Sequence, residues 1–216
     1  MEIISDTISQ YCEMYSSDES ETLHKLNRFT YANVLQPRML SGHLQGRFLA
    51  MMSKMISPDD ILEIGTFTGY SAICLAEGLS KNGKLVTIDN NPELEQVVRT
   101  HIANAGFEKK IQVIIGDAFK VIQTLTQTFD LVFIDADKTS YHKYYDLLIN
   151  RIKPGGYIIA DNVLWNGKVV NEVELNKDKD ARAMDAFNKK IQTDERVENM
   201  LLPLRDGLMI IRKRTG

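Results

Sequence analysis

From Ile61 onward, short uninterrupted apolar runs alternate with longer amphipathic stretches, the pattern of strands and crossover helices in an α/β sheet. The runs at 61–64, 85–88, 111–115, 131–134 and 157–160 are the expected strands. Helical stretches begin near Tyr70, Pro92, Ala118 and Tyr141, several of them closed by glycine at Gly83, Gly106 and the Pro154-Gly155-Gly156 turn. Leu131-Val132-Phe133-Ile134 shows no polar alternation, so it should be buried on both faces of a parallel sheet. Two further runs, 197–202 and 208–211, flank Pro203–Gly207 and read as a closing hairpin. The expected fold class is therefore α/β: a doubly wound, Rossmann-like sheet, mostly parallel with an antiparallel C-terminal strand and helices on both faces.

The two ends carry different patterns. The first 60 residues are helical in tendency, with a loop-like segment at 16–20, a break at Pro37 and a helix over 39–55 that feeds the first strand. Past Trp165 a polar, lysine-rich stretch to about Asp180 has no clear period and is expected to be a mobile surface segment. No internal repeat or low-complexity tract is present. A chain of 216 residues can bury one substantial core, which predicts a single domain over 1–216, with a helical region at 1–57 and an α/β core at 58–216.

Charge and cysteine content then narrow the function classes. A net charge of -3 argues against a nucleic-acid or anionic-membrane binder. The one short basic run, Arg212-Lys213-Arg214, is expected to be a solvated terminus. Cys12 and Cys74 lie far apart without metal-ligand spacing, so they are expected to be reduced thiols. With no signal-peptide pattern and no apolar run long enough to span a bilayer, the expected location is cytoplasmic.

Three constellations carry chemistry. The first, Glu63-Ile64-Gly65-Thr66-Phe67-Thr68-Gly69-Tyr70-Ser71, falls where the first strand turns into the first crossover helix. Gly65 and Gly69 allow a tight turn and close approach of backbone to a ligand, and the helix start offers unpaired N–H groups. The spacing is G-x-x-x-G, whereas a dinucleotide site wants G-x-G-x-x-G. The acid at Glu63 would repel a pyrophosphate and could pair with a cationic group, and S-adenosylmethionine has an ammonium, a sulfonium and no phosphate. A plain strand–helix turn that carries two glycines is the alternative.

The second is Asp89, at the end of Val86-Thr87-Ile88-Asp89 and followed by Asn90, placed to accept hydrogen bonds from both hydroxyls of a ribose. It could equally cap the helix opening near Pro92. Gly116-Asp117-Ala118 after the third strand fits the adenine edge of the same crevice.

The third comprises Phe133-Ile134-Asp135-Ala136-Asp137-Lys138 and Ile159-Ala160-Asp161-Asn162, ending strands four and five. Carboxyl ends of strands line the ligand crevice of such folds, so Asp135, Asp161 and Asn162 can converge. Two carboxylates and an amide oxygen make a hard, oxygen-only site suited to Mg²⁺ or Ca²⁺ and leave positions open for a substrate. The alternative is that each acid caps the helix or loop that follows it. Lys138 lies three residues past Asp135; beside a metal in a partly dry crevice its pKa would fall toward the general-base range, and otherwise it is a surface lysine at a helix start. Trp165 follows the Asp161-Asn162 pair and could cover an aromatic or apolar acceptor, or could belong to the core.

At these residues the sequence resembles the cation-dependent O-methyltransferases, the family of caffeoyl-CoA and catechol O-methyltransferases. The matching stretches are 61–75, 86–92, 116–118, 129–145 and 154–167, in family order and spacing. The forms Asp135-Ala136-Asp137-Lys138 and Asp161-Asn162-Val163-Leu164-Trp165 are similar to the caffeoyl-CoA and bacterial branch. The resemblance implies that S-adenosylmethionine is held by Met39, Gly42, Glu63, Gly65, Phe67, Gly69, Ser71, Asp89, Asn90, Gly116, Asp117, Ala118, Asp135 and Asp137. It implies that Asp135, Asp161 and Asn162 hold a divalent cation, Mg²⁺ first and Mn²⁺ or Ca²⁺ as alternates, and that Asp135 and Lys138 are catalytic, with Lys138 as proton acceptor. Lys138, Asn162, Trp165 and Asp206 are its candidate acceptor contacts.

The implied partner is a small-molecule hydroxyl acceptor, with no nucleic acid or membrane, in a homodimer whose interface would use the helical N-terminus. The segment 36–45, Gln-Pro-Arg-Met-Leu-Ser-Gly-His-Leu-Gln, departs from the plant pattern, which leaves acceptor identity least specified. An NAD-dependent oxidoreductase and a non-catalytic nucleotide-binding module are the rival readings.

Overall fold

The computed structural model describes residues 4–216. It contains two compact units: Gln10–Thr126, and the described residues up to Ser9 together with Gln127–Gly216. Chain order begins with α1 (Asp6–Met14), α2 (Glu21–Asn33) and α3 (Gly42–Ile56), then β1 (Asp60–Ile64), α4 (Tyr70–Ala76), β2 (Lys84–Asp89), α5 (Glu95–Asn104), β3 (Ile111–Ile115) and α6 (Ala118–Thr124). It continues with β4 (Phe129–Ile134), α7 (Tyr141–Leu148), β5 (Ile152–Asp161), α8 (Glu172–Lys177), α9 (Lys179–Gln192), β6 (Val197–Leu202) and β7 (Leu208–Lys213).

All seven expected strands are present, in the order β3-β2-β1 within Gln10–Thr126 and β4-β5-β7-β6 within the other unit. Within Gln10–Thr126, β1 pairs with β2 and β2 with β3, both parallel. Within the other unit β4 and β5 are parallel, while β7 runs antiparallel to both β5 and β6. Leu131, Val132, Phe133 and Ile134 are fully buried, as a run without polar alternation requires.

Several expectations need correction. The helix expected over 39–55 starts at Gly42, because Pro37 locks its φ and opens a separate 3-10 turn, Pro37–Met39. Pro154, Gly155 and Gly156 lie inside β5, where the register with β4 shifts between Phe129 and Leu131, so they form an irregularity in the strand rather than a turn before it. Gly83 closes a turn onto Ser80, well after α4 has ended.

The stretch after Trp165 is regular structure. Asn171 caps α8 by accepting from Val173 and Glu174 N–H, and Asp178 caps α9 by accepting from Asp180 and Ala181 N–H. Nor do the basic residues at 212–214 form a loose tail. Arg212 pairs with Glu198 across the β6–β7 ladder, Lys213 donates to the Ile152 carbonyl and Arg214 donates to the Val197 carbonyl. Both cysteines are free thiols, and no described helix is long and apolar enough to cross a membrane.

Candidate active site

In Gln10–Thr126 the loop joining β1 to α4 is built on left-handed backbone: Gly65 has φ 100°, Phe67 51° and Gly69 91°. A non-glycine residue at positive φ needs outside support, and Asp89 at the end of β2 supplies it. Its Oδ2 accepts from the N–H groups of Thr66 and Phe67 at 3.0 and 2.8 Å, and its Oδ1 accepts from Asn91 N–H at 2.9 Å. A carboxylate has about four lone-pair sites. The three backbone donors leave Asp89 roughly one of these. The helix-cap alternative is not realised, since Asn91 caps the 3-10 turn at Pro92 by accepting from Glu93 N–H.

Glu63 is completely buried at the end of β1 and accepts from the Thr87 hydroxyl at 2.5 Å. Thr87 has one proton and gives it to Glu63, so the Thr66 hydroxyl, 2.5 Å away, must donate to Thr87. The sequence reading missed Thr66 and Thr87; alternation along β2 places Thr87 two residues from Asp89 on the same face, the signal that could have found it.

The remaining cofactor candidates in this unit are placed as follows. Ser71 is buried in the first turn of α4, and Gly116 donates its N–H to the Asp89 carbonyl at 2.8 Å. Asp117 caps α6 through Phe119 N–H at 2.8 Å and Lys120 N–H at 3.4 Å, and Ala118 is the first residue of that helix. Asn90 is exposed. Met39 is exposed in its 3-10 turn, and Gly42, at φ 74°, opens α3 with free space where a Cβ would stand.

In Gln127–Gly216 the residues of the second set are placed as follows. Asp135 follows the last residue of β4, and Asp161 ends β5. Lys138 Nζ lies 2.9 Å from Asp135 Oδ1 and 2.8 Å from the Tyr141 hydroxyl, and its side chain is only 9% exposed. The fully buried Tyr141 hydroxyl also lies 3.2 Å from the Ile134 carbonyl and 3.1 Å from the Asp161 carbonyl, so one phenol joins the ends of two adjacent strands. Asp161 Oδ1 accepts from the N–H of Asn162, a residue at φ 60°, at 2.6 Å. Asp206 accepts from Asn166 N–H and from the Asn162 side chain. Burial holds the Asp206 carboxyl above its ordinary range against those donors and the charge of Lys138.

For Lys138 burial and its two partners oppose one another. Burial works against its charged form, but Tyr141 and Asp135 outweigh it and hold the ammonium above its ordinary range. Asp137 is exposed and accepts from the Tyr144 hydroxyl at 3.1 Å, outside the Asp135–Lys138–Tyr141 chain of contacts. Trp165 is half-buried, at φ 46°, and its indole N–H donates to Asp178 at 3.2 Å; Lys168 reaches the same carboxylate at 2.7 Å. Tyr141 was not picked out from sequence, although its place three residues after Lys138 in a helical stretch is a spacing at which side chains meet.

Among the described residues no group of three or more His, Cys, Asp or Glu side chains is disposed to hold a metal ion. Any cation here would therefore rest on two carboxylates and the Asn162 amide, a sparse oxygen set that suits a hard ion retaining open positions.

The O-methyltransferase family model matches residues 13–214. A probable caffeoyl-CoA O-methyltransferase of Dictyostelium discoideum is 34% identical over 213 residues, covering 96% of this chain and 92% of its own. A caffeoyl-CoA O-methyltransferase of Eucalyptus globulus is 34% identical over 221 residues, covering 97% and 89%. The SAH-bound O-methyltransferase structure from Bacillus cereus superposes with a TM-score of 0.87 at 28% identity over 96% of this chain and 97% of its own. The SAH-bound Podospora anserina methyltransferase gives 0.89 at 28% identity, covering 97% and 94%. These matches replace the oxidoreductase and non-catalytic readings, and the chain belongs to the O-methyltransferase family.

Proposed function

We propose that this enzyme transfers the methyl group of S-adenosylmethionine to a hydroxyl of a small catechol-like or vicinal-diol acceptor, with a divalent cation, Mg²⁺ foremost, held by Asp135, Asp161 and Asn162. The observation that carries the reading is the cluster in which Lys138, Asp135, Tyr141 and the Asp161 strand end are linked by contacts of 2.8 to 3.1 Å. Cofactor binding is supported by the fully buried Glu63 carboxylate and by the left-handed loop over Asp89, a combination that suits a cationic, phosphate-free ligand. When bound, the cofactor supplies an electrophilic methyl group and the cation lowers the pKa of a coordinated hydroxyl.

The chain's own residues do the rest. Glu63 presents a buried carboxyl group at the end of β1, and Asp89 holds the Gly65–Gly69 loop open while offering one acceptor to a ribose hydroxyl. Asp135, Asp161 and Asn162 orient the acceptor oxygens, and Lys138 stands beside them to receive the acceptor's proton. How readily it does so depends on how much of Asp135's charge remains with it, since that pairing keeps the ammonium protonated. Trp165, fixed through its indole N–H, and Asp206 complete the acceptor contacts we propose.

A homodimer through the N-terminal helices is supported by α1, which buries none of its residues and exposes Tyr11 and Met14. Free thiols at Cys12 and Cys74 suit a reducing, cytoplasmic setting.

Asp135→Ala tests the cation site. Losing a charge-stabilising cation costs several kcal/mol, so turnover should fall at least about a hundredfold. A variant that keeps wild-type turnover in the presence of chelator refutes the cation reading.

A further inference from the structure

We infer that Tyr141 is the positioning residue for Lys138: its hydroxyl fixes the amino nitrogen where the acceptor's proton is taken. The inference rests on the proposed role of Lys138 and goes beyond it by naming what holds that lysine in place.

A phenol has one proton and accepts through its oxygen. Among the described residues the acceptors around the Tyr141 oxygen are the Ile134 and Asp161 carbonyls, at 3.2 and 3.1 Å, so its proton is directed to that carbonyl pair. Lys138 Nζ carries three protons when charged and two when neutral, so in either form it has one to donate to the phenol, over 2.8 Å, and the neutral form keeps its lone pair for the acceptor's proton. The direction of every bond in this chain is fixed by chemistry, with no freedom for the hydroxyl to turn round.

Position is fixed as well. The Tyr141 ring is fully buried and meets Phe187 of α9 edge-on, with centroids 5.6 Å apart and planes at 86°. The carbonyls that receive its proton belong to the last residue of β4 and the last residue of β5, which are held in parallel register through Ile134 and Ala160. The same strand ends carry Asp135 and Asp161. Tyr141 thus ties the lysine to the framework that places the two carboxylates, and it remains a partner of Lys138 whatever becomes of the ion pair with Asp135. A lysine has four rotatable side-chain bonds, and without such an anchor its terminal nitrogen would explore several positions at a cost to oriented proton transfer.

Tyr141→Phe keeps the ring and removes the anchor. The expected result is a fall in kcat of tenfold or more, with acceptor KM and the Kd for S-adenosylhomocysteine within twofold of wild type. In the residual turnover of Lys138→Met, adding Tyr141→Phe should make no further difference, because the two side chains act as one unit. Unchanged kcat in the single variant, or full additivity in the pair, overturns the inference.

Nuclear Overhauser contacts between the Lys138 ε-methylene and the Tyr141 ring in the Mg²⁺- and S-adenosylhomocysteine-loaded wild type give a check that needs no variant. Their absence overturns the inference even if Tyr141→Phe does not fold. Should Lys138→Met itself turn over normally, the proposed role of Lys138 fails. A dead Lys138→Met beside a fully active Tyr141→Phe defeats only the anchoring role.

Discussion

Asp89 performs more structural work than a ribose ligand would need. Its carboxylate organises the N–H groups of Thr66, Phe67 and Asn91, so Asp89→Ala leaves three backbone donors in search of acceptors. Unsatisfied donors cost about 1–3 kcal/mol each when buried, and this site is partly open, so a total loss of about 1–3 kcal/mol is expected by denaturant titration. S-adenosylhomocysteine affinity should fall with it, measured by calorimetry; stability lost with affinity intact would detach the loop from the cofactor. Gly207 makes a comparable case in the other unit. It stands at φ 86°, and an added Cβ would come within 2.5 Å of Leu164 Cγ. Gly207→Ala should cost about 1–3 kcal/mol through backbone strain and displaced packing, and should lower turnover because Val163 and Leu164 donate their N–H groups to residues 207 and 206. The residue types at both sites were legible in the sequence. Direction of the Lys138 shift was not, because it depends on Tyr141 and Asp135 together outweighing burial, a balance that spacing does not reveal.

Among the elements, α3 and α4 are joined where Gly78 lies against backbone. A Cβ there would stand 2.2 Å from the Ser53 carbonyl carbon and 2.3 Å from Lys54 N, with the Ser53 hydroxyl donating nearby to the Leu75 carbonyl at 2.6 Å. Neither backbone can yield alone, so Gly78→Ala should destabilise by about 3 kcal/mol or more, read as a lowered unfolding midpoint. A wild-type midpoint would mean that the helices separate without penalty. Strands were readable because buried parallel strands demand unbroken apolar runs, and Leu131 to Ile134 supplies one. Helices α8 and α9 were not, because α8 is six residues long with no buried residue, and α9 follows it directly, with Asp178 closing one helix and capping the next. The caps themselves, Asn171 and Asp178, were visible as residue types but not as boundaries.

For the molecule as a whole, the depressed carboxylates set the response to acid. Glu77 is half-buried, which alone would raise its pKa, but Arg47 at 2.6 Å and Lys54 at 2.8 Å bring it below its ordinary 4.5. Asp194 is lowered chiefly by Arg196. A depressed carboxylate contributes stability that is present above its unfolded value and disappears as pH falls through the folded one. Unfolding free energy should therefore be level near neutrality and decline below about pH 4.5. Glu77→Gln should lower stability at pH 7 and flatten that decline, so its curve and the wild-type curve converge in acid. Parallel curves would show that Glu77 has no part in it. The fold class and the family were legible at this scale because the motifs fall at strand ends. Acceptor identity was not, since the side chains we propose for it, Trp165 and Asp206, are placed by the folding of the segment around them.

The central claim, cation-dependent methyl transfer to an oxygen, is tested most directly by following methyl transfer from labelled S-adenosylmethionine to a catechol and to a hydroxycinnamoyl thioester while Mg²⁺ is titrated and then removed with chelator. The account predicts turnover that saturates with Mg²⁺, vanishes in chelator and returns when the ion is restored. Equal turnover in chelator, on either acceptor, would contradict it.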